Sequence, residues 1–299
     1  CPVIIKAHPA HAETSERVFQ AIQKAMAASG MPDKLVQHIH TRNFEAAEAL
    51  VKHPLIAAVG FTGSLKGGRA IYDYAATREN PIPVFAEMGS TNPVILLPEY
   101  LKENSAHLVE IFTPSITGSM GQFCTCPGVF LGLASNHLQS FSSQLAASLN
   151  KVQPEKMLYS GIVENYIKNR SIAAGAEGVE LLTRNYQNAE GAPTIITVEA
   201  AGFINNEALR EEVFGPFSIV VQCNDFEQLK KAWLLIKGQL TTSLFGTKSD
   251  FENHPLLIDL AVQIAGRVVF NKVPTGVQVC PSMVHGGPYP ATTDSRFTA

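Results

Sequence analysis

No apolar run in this 299-residue chain comes near the ~18 to 20 residues that a bilayer-crossing helix needs. A membrane-spanning helix is therefore not expected. The chain also lacks any lysine- or arginine-rich tract. With 23 basic and 26 acidic residues and a net charge of −3, it carries no basic footprint for nucleic acid or for an anionic membrane surface. No stretch reads as a secretory leader. Cysteine is scarce, odd in number and scattered: Cys1, Cys124, Cys126, Cys223 and Cys280. That set does not read as a disulfide framework, and a reducing cytoplasm is the expected compartment. The Cys124–Cys126 spacing is too tight for the usual paired zinc ligands, so no metal centre is expected. Low-complexity linkers and repeats are also missing.

What the chain does have is apolar residues at 45%, enough for a sizeable core, in a length that suggests two domains. It opens on "CPVIIKAHPA", and Val3, Ile4 and Ile5 read as a buried strand. A chain that starts inside such a strand reads as part of a longer protein. Strand-like and helix-like segments then alternate. Thr14 or Ser15 caps a helix that runs to about Gly30. A shorter helix covers 44–52, "IAAVGFTG" is a second buried strand, and Ser64 opens another helix. "PVFAEMG", "PVILLP", "GVFLGLA", "APTIITVEA", "FSIVVQC" and "RVVFN" are further strands, with helices near 105–121, 137–150, 161–174 and after Asp225. Strands separated by helices predict an α/β fold with a mostly parallel sheet.

Several short stretches carry chemistry, each with a plainer alternative. "VGFTGSLKGG" sets Gly63 and Ser64 at a strand-to-helix turn, where free N–H groups and the helix dipole can bind an anion. The alternative is an ordinary serine cap. Lys6 ends a strand, the edge at which parallel sheets bind ligands, but a solvated lysine fits equally. His8 and His11 are spaced for a metal pair, yet Pro9 lies between them, and a polar loop is the better reading. Glu87 emerges from an apolar strand, where desolvation raises a carboxyl pKa and suits general-base work. The alternative is a salt bridge. "GSMGQFCTCPG" (118–128) places a thiol after an expected helix end, with N–H groups nearby to bind an oxyanion. The plain reading of both cysteines is core filler. "LREEVFGPF" sets an acid pair and an aromatic at a turn, suited to gripping a sugar or simply to ending a helix.

Taken in order, Lys6, "GFTGS", Glu87 in "AEMGSTNP", Cys124 in "GQFC", and Glu212 with Phe214 in "EEVFGP" resemble the aldehyde dehydrogenase superfamily over nearly the whole chain. "KAHPAH", "AEMGSTNP" and "GQFCTCPG" resemble a narrower branch, the 2-oxoglutarate semialdehyde (2,5-dioxopentanoate) and NADP-linked fatty aldehyde dehydrogenases. The resemblance implies a Rossmann-like cofactor domain over residues 1–89 and an αβα catalytic domain over 90–299, with the active site between them. It implies that Cys124 attacks the aldehyde as thiolate and that Glu87 activates the water that hydrolyses the thioester. Lys6 then contacts the adenosine ribose, Gly63 and Ser64 the pyrophosphate, and Glu212 the nicotinamide ribose, with Phe214 beside it.

Many NAD-preferring members carry a glutamate three residues past that lysine. Here the position is Pro9, which would let a 2′-phosphate approach, so NADP or dual NAD and NADP use is expected. The substrate expected is a small aldehyde, 2-oxoglutarate semialdehyde first, with a fatty aldehyde or a non-catalytic role as alternatives. A semialdehyde carboxylate would need a basic anchor, for which charge alone offers Arg170, Arg184 and Arg296. The resemblance also implies a homo-oligomer, dimer or tetramer. It further implies that the oxyanion-binding asparagine, the first strand of the cofactor sheet and an oligomerisation strand lie outside these residues. On that reading, residues 1–299 alone are inactive or badly folded.

Overall fold

A strand-and-helix alternation runs through the computed structural model, which describes residues 1–186, 188–278 and 280–294. It falls into two units: Cys1–Val59 with Ala70–Val84, and Gly60–Arg69 with the described residues from Phe85 onward.

In the first unit, β1 (Val3–Lys6) pairs in parallel with β2 (Val36–Ile39), and α1 (Ala12–Ala28) connects them. β1 is not the buried strand its composition predicts: Val3 is 45% and Ile4 38% exposed. β2 is its one partner among the described residues, so much of its apolar surface stays uncovered. α1 starts two residues before the expected Thr14 cap. His8 first caps a short 3-10 turn at Pro9–His11 by accepting from the Ala10 N–H. α2 (Phe44–Lys52) is capped by Asn43, whose side chain accepts from the Ala46 N–H. Arg78 ties the unit internally, donating to the carbonyls of Val51 at 3.0 Å and Ile56 at 2.9 Å. The chain passes between the units within β3 (Val59–Thr62), α3 (Leu65–Ala76) and β4 (Val84–Glu87).

The second unit is built on a seven-stranded sheet. Its strands are β5 (Val94–Leu96), β6 (Val129–Leu133), β7 (Val179–Leu181), β8 (Thr194–Glu199), β9 (Phe217–Cys223), β10 (Gln239–Phe245) and β11 (Ala265–Phe270), in the order β11-β10-β5-β6-β9-β8-β7. Every pairing is parallel except β7 with β8. Side chains alternate between faces along a strand, and this builds two cores. Ile95, Leu131, Ile196 and Val221 meet Tyr166 of α6 (Ser160–Ala174), Phe203 of α7 (Ala200–Asn205), Trp233 of α8 (Phe226–Leu234) and Leu257 of α10 (Leu256–Ile264). Val94, Phe130, Ile195 and Val220 meet Phe112 of α4 (Pro98–Thr117) and Phe141 of α5 (Asn136–Leu149). The result is a three-layer αβα sandwich. A further short helix, α9 (Lys248–Asn253), starts with a reciprocal Thr247–Asp250 capping box.

Candidate active site

Glu87 ends β4 and is buried. Its strand is held by a returning segment near the end of the described chain. Glu87 bridges Thr292 in antiparallel fashion, and Met88 N–H donates to the Ala291 carbonyl at 2.8 Å. Thr293 N–H donates to the Ala86 carbonyl at 3.0 Å. The glycines of "HGGPYP" let this segment lie close to the large sheet. A Cβ on Gly287 would come within 2.0 Å of the Gln239 carbonyl oxygen, and one on Gly266 within 2.0 Å of the Gly286 oxygen. The segment so anchored delivers His285 to Glu87: Nε2 lies 3.2 Å from Oε1.

Cys124 arrives from the other side of the sequence. After α4, a 3-10 turn (Gly118–Gly121) puts Ser119, Met120 and Gly121 at φ of 49°, 52° and 64°. At Gly121 only glycine fits, because a Cβ would lie 2.3 Å from the backbone carbon of Gly215. The turn leaves Cys124 partly exposed, with Sγ 3.2 Å from His285 Nε2. Donor atoms of Glu87, Cys124 and His285 all lie within 4.8 Å of one another. The hydrogen bonds to Cys124 and then to Glu87 push the His285 pKa up to about 10, against the opposing effect of burial. Among the described residues Nδ1 of this ring is buried without a partner, while Nε2 faces the two acids.

Asn92, in "GSTNP", holds the cysteine loop from beneath. Its Nδ2 donates to the carbonyls of Cys124 at 2.8 Å and Cys126 at 3.0 Å, and its Oδ1 accepts from Ser90 and Thr241. Asn92 itself sits at φ 45°, a conformation asparagine tolerates better than most residues. Gln239 locks the same corner, its Oε1 accepting from the N–H groups of Thr91 and Asn92. Cys126 is buried, and desolvation pushes its thiol up to about 12, which leaves it a core residue.

The remaining sequence-predicted residues are placed as follows. Ser64 caps α3, accepting from the Gly67 N–H at 3.2 Å, so its own hydroxyl proton remains to donate. The Gly63 N–H donates to the Glu87 carbonyl at 3.1 Å and is not a free anion donor. Glu212 and Phe214 line a recess with Ser90, Thr91, Phe123 and Cys126. Burial pushes Glu212 up to about 7, and its Oε2 lies so close to Gly89 that a Cβ there would sit 2.5 Å away. Lys6, in the first unit, is exposed, with Nζ 3.3 Å from the Ala7 carbonyl. Of the arginines considered as anchors, Arg170 is buried and donates to the Tyr186 carbonyl at 2.7 Å, so its charge serves the fold. Arg184 is exposed, and Arg296 lies outside the described residues.

Sequence reasoning missed His285 and Asn92. "GSTNP" was conspicuous as a motif, but the contact of Asn92 with Cys124 spans 32 positions. His285 sits in a loop with no periodicity to mark it.

The family model described as the aldehyde dehydrogenase family matches residues 1–249. The chain is 39% identical to alpha-ketoglutaric semialdehyde dehydrogenase 2 of Azospirillum brasilense and 38% identical to alpha-ketoglutaric semialdehyde dehydrogenase of Acinetobacter baylyi, in both cases over its whole length. It spans 58% and 57% of those proteins. Among solved structures, gamma-glutamyl-gamma-aminobutyraldehyde dehydrogenase of Burkholderia cenocepacia superposes at a TM-score of 0.77 with 22% identity, over 97% of this chain and 58% of that one. A betaine aldehyde dehydrogenase of Staphylococcus aureus, solved with NAD+, gives 0.77 with 19% identity, over 98% of this chain and 59% of that one. The fold, the order of the motifs and these matches agree: the chain belongs to the aldehyde dehydrogenase family.

Proposed function

We propose that the protein containing this chain oxidises an aldehyde to a carboxylic acid with NAD(P)+, through a covalent bond to Cys124. The observation that carries the reading is the meeting of Cys124, His285 and Glu87 within 4.8 Å. Cys124 Sγ attacks the aldehyde carbon as thiolate, and the carbonyl π electrons move to oxygen. The His285 Nε2–H donates to the sulfur and favours its anionic form. Oxidation of the thiohemiacetal leaves a thioester on Cys124. Glu87 then takes a proton from water as the water oxygen attacks the thioester carbon, and Cys124 departs as thiolate.

The chain's own groups suit a dinucleotide. Glu212 offers a half-buried carboxyl beneath a glycine, and Ser64 a hydroxyl with a proton to give. When bound, NAD(P)+ supplies the two-electron acceptor. Lys6, Ser64, Glu212 and Phe214 are the residues that would hold it. Pro9 leaves no carboxylate to oppose a 2′-phosphate, so NADP+ should serve at least as well as NAD+. We assign 2-oxoglutarate semialdehyde as the substrate, on the identity to the two alpha-ketoglutaric semialdehyde dehydrogenases. A homo-oligomer in the cytoplasm completes the reading.

The test is absorbance of the reduced nicotinamide, using the full-length protein and a panel of aldehydes with either cofactor. Turnover of the semialdehyde, lost in Cys124→Ala, is expected. Higher kcat/KM for a long-chain aldehyde would overturn the substrate, and a strong NAD+ preference would overturn the cofactor assignment.

A further inference from the structure

The first unit carries a cluster that the reaction does not use. His38, within β2, and His40, just past its end, are two residues apart, so their side chains share a face. α1 lays Glu16 against that face. Glu16 Oε2 lies 3.5 Å from His38 Nδ1 and 3.4 Å from His40 Nε2, and the three donor atoms fall within 4.8 Å of one another. These separations are long for charge-assisted hydrogen bonds, which run about 2.7–2.9 Å. They match the ~3.3–3.4 Å edge of a tetrahedron with metal–ligand bonds of about 2.0–2.1 Å.

The surroundings are those of a ligand set. The His38 side chain is 3% exposed and packs on the Phe19 ring, which fixes its plane. Its far nitrogen, Nε2, lies 2.8 Å from Ser15 Oγ. A proton held there leaves the Nδ1 lone pair directed at Glu16, as second-shell partners of metal-bound histidines do. Gln20 takes the other carboxylate oxygen, Oε1, at 3.3 Å and orients it. The His40 and Glu16 side chains are 44% and 47% exposed, which leaves an approach for the ion and a coordination position for water.

We propose that Glu16, His38 and His40 form a binding site for a divalent transition-metal ion of the zinc class, tying α1 to β2. Two imidazoles and a carboxylate suit Zn2+, Ni2+ or Cu2+ rather than Mg2+ or Ca2+. The trio of Glu87, Cys124 and His285 is the other cluster of metal-ligating type among the described residues, and it is the site of the proposed reaction.

Zn2+ binding to the full-length protein should be measured by calorimetry in a Cys124→Ala background, which removes the thiol of the other cluster. A binding step that His40→Ala and Glu16→Gln each weaken by about 10-fold or more is expected, since each removes a ligand. Co2+ bound at the site should show visible d–d bands without a thiolate charge-transfer band. Zn2+ should also raise the melting temperature of the Cys124→Ala protein by mass action, and not that of its His40→Ala derivative. His40 is exposed, so its loss should leave the fold intact, and circular dichroism checks this. Zn2+ affinity unchanged by both substitutions, or no binding step in the Cys124→Ala protein, overturns the site.

Discussion

His285 Nε2 faces two acids, and the consequences can be measured. Its pKa, raised to about 10 by Cys124 and then Glu87, lies above the ordinary value of 6.5. The stabilisation this provides is therefore complete below about pH 6.5 and is lost as pH rises through about 10. His285 Nε2 also lies 3.2 Å from Cys124 Sγ. Alkylation of Cys124 by iodoacetamide should accordingly be fast at pH 7 in the native protein. In His285→Gln it should be slower at the same pH. Equal rates at pH 7 would remove the histidine from the mechanism. Glu212 has a linkage of the same sign at lower pH. Burial lifts it from 4.5 to about 7, so the fold loses stability as pH rises through that window. Glu212→Gln should melt higher than the native protein at pH 8 and equally at pH 4, while KM for the cofactor rises. Asn92→Ala strips donors from two carbonyls in the cysteine loop. It should cost about 1–3 kcal/mol by chemical denaturation and lower kcat more than it raises KM. Cys124 and Glu87 were legible in the sequence because short motifs surround them. His285 was not, since its partners lie 161 positions or more away in a loop.

At the scale of elements, most of the sandwich follows from apolar runs. β6, β8 and β9 are rich in Val, Ile, Leu and Phe, as buried parallel strands should be. β10 escaped notice because its "QLTTSLF" is half polar, although every one of its residues is buried. Thr241 is satisfied by Asn92 and Gln239 by the loop before β5, while the Thr242 and Ser243 hydroxyls are buried without a partner among the described residues. The start of α1 was misplaced because the Pro9–His11 turn feeds it from upstream of the residues that look like caps. The turn before Cys124 is the element that tolerates least. Gly121→Ala sets a methyl group against the backbone at Gly215, in a conformation that disfavours any side chain. It should destabilise the fold and depress Cys124 alkylation together. Gly30→Ala, also at positive φ but with nothing nearby, should cost only its local strain and leave alkylation unchanged.

For the whole molecule, the two units differ in how completely they bury their strands. β9 and β10 are almost wholly buried, whereas β1 exposes most of its residues. Amide exchange should therefore be slowest in the seven-stranded sheet and markedly faster in β1 and β2 of these 299 residues. The reverse order would contradict the arrangement.

The backbone ladder that joins Glu87 to Thr292 has a further implication. It makes the imidazole a removable part: the thiol and the carboxylate belong to the sheet and its loops, but the ring is carried by a strap fastened at 291–293. A protease cut or a bound peptide that frees that strap would leave a protein with its sulfur and its acid in place and no proton between them. Such a protein would be folded and titratable at Cys124, yet slow.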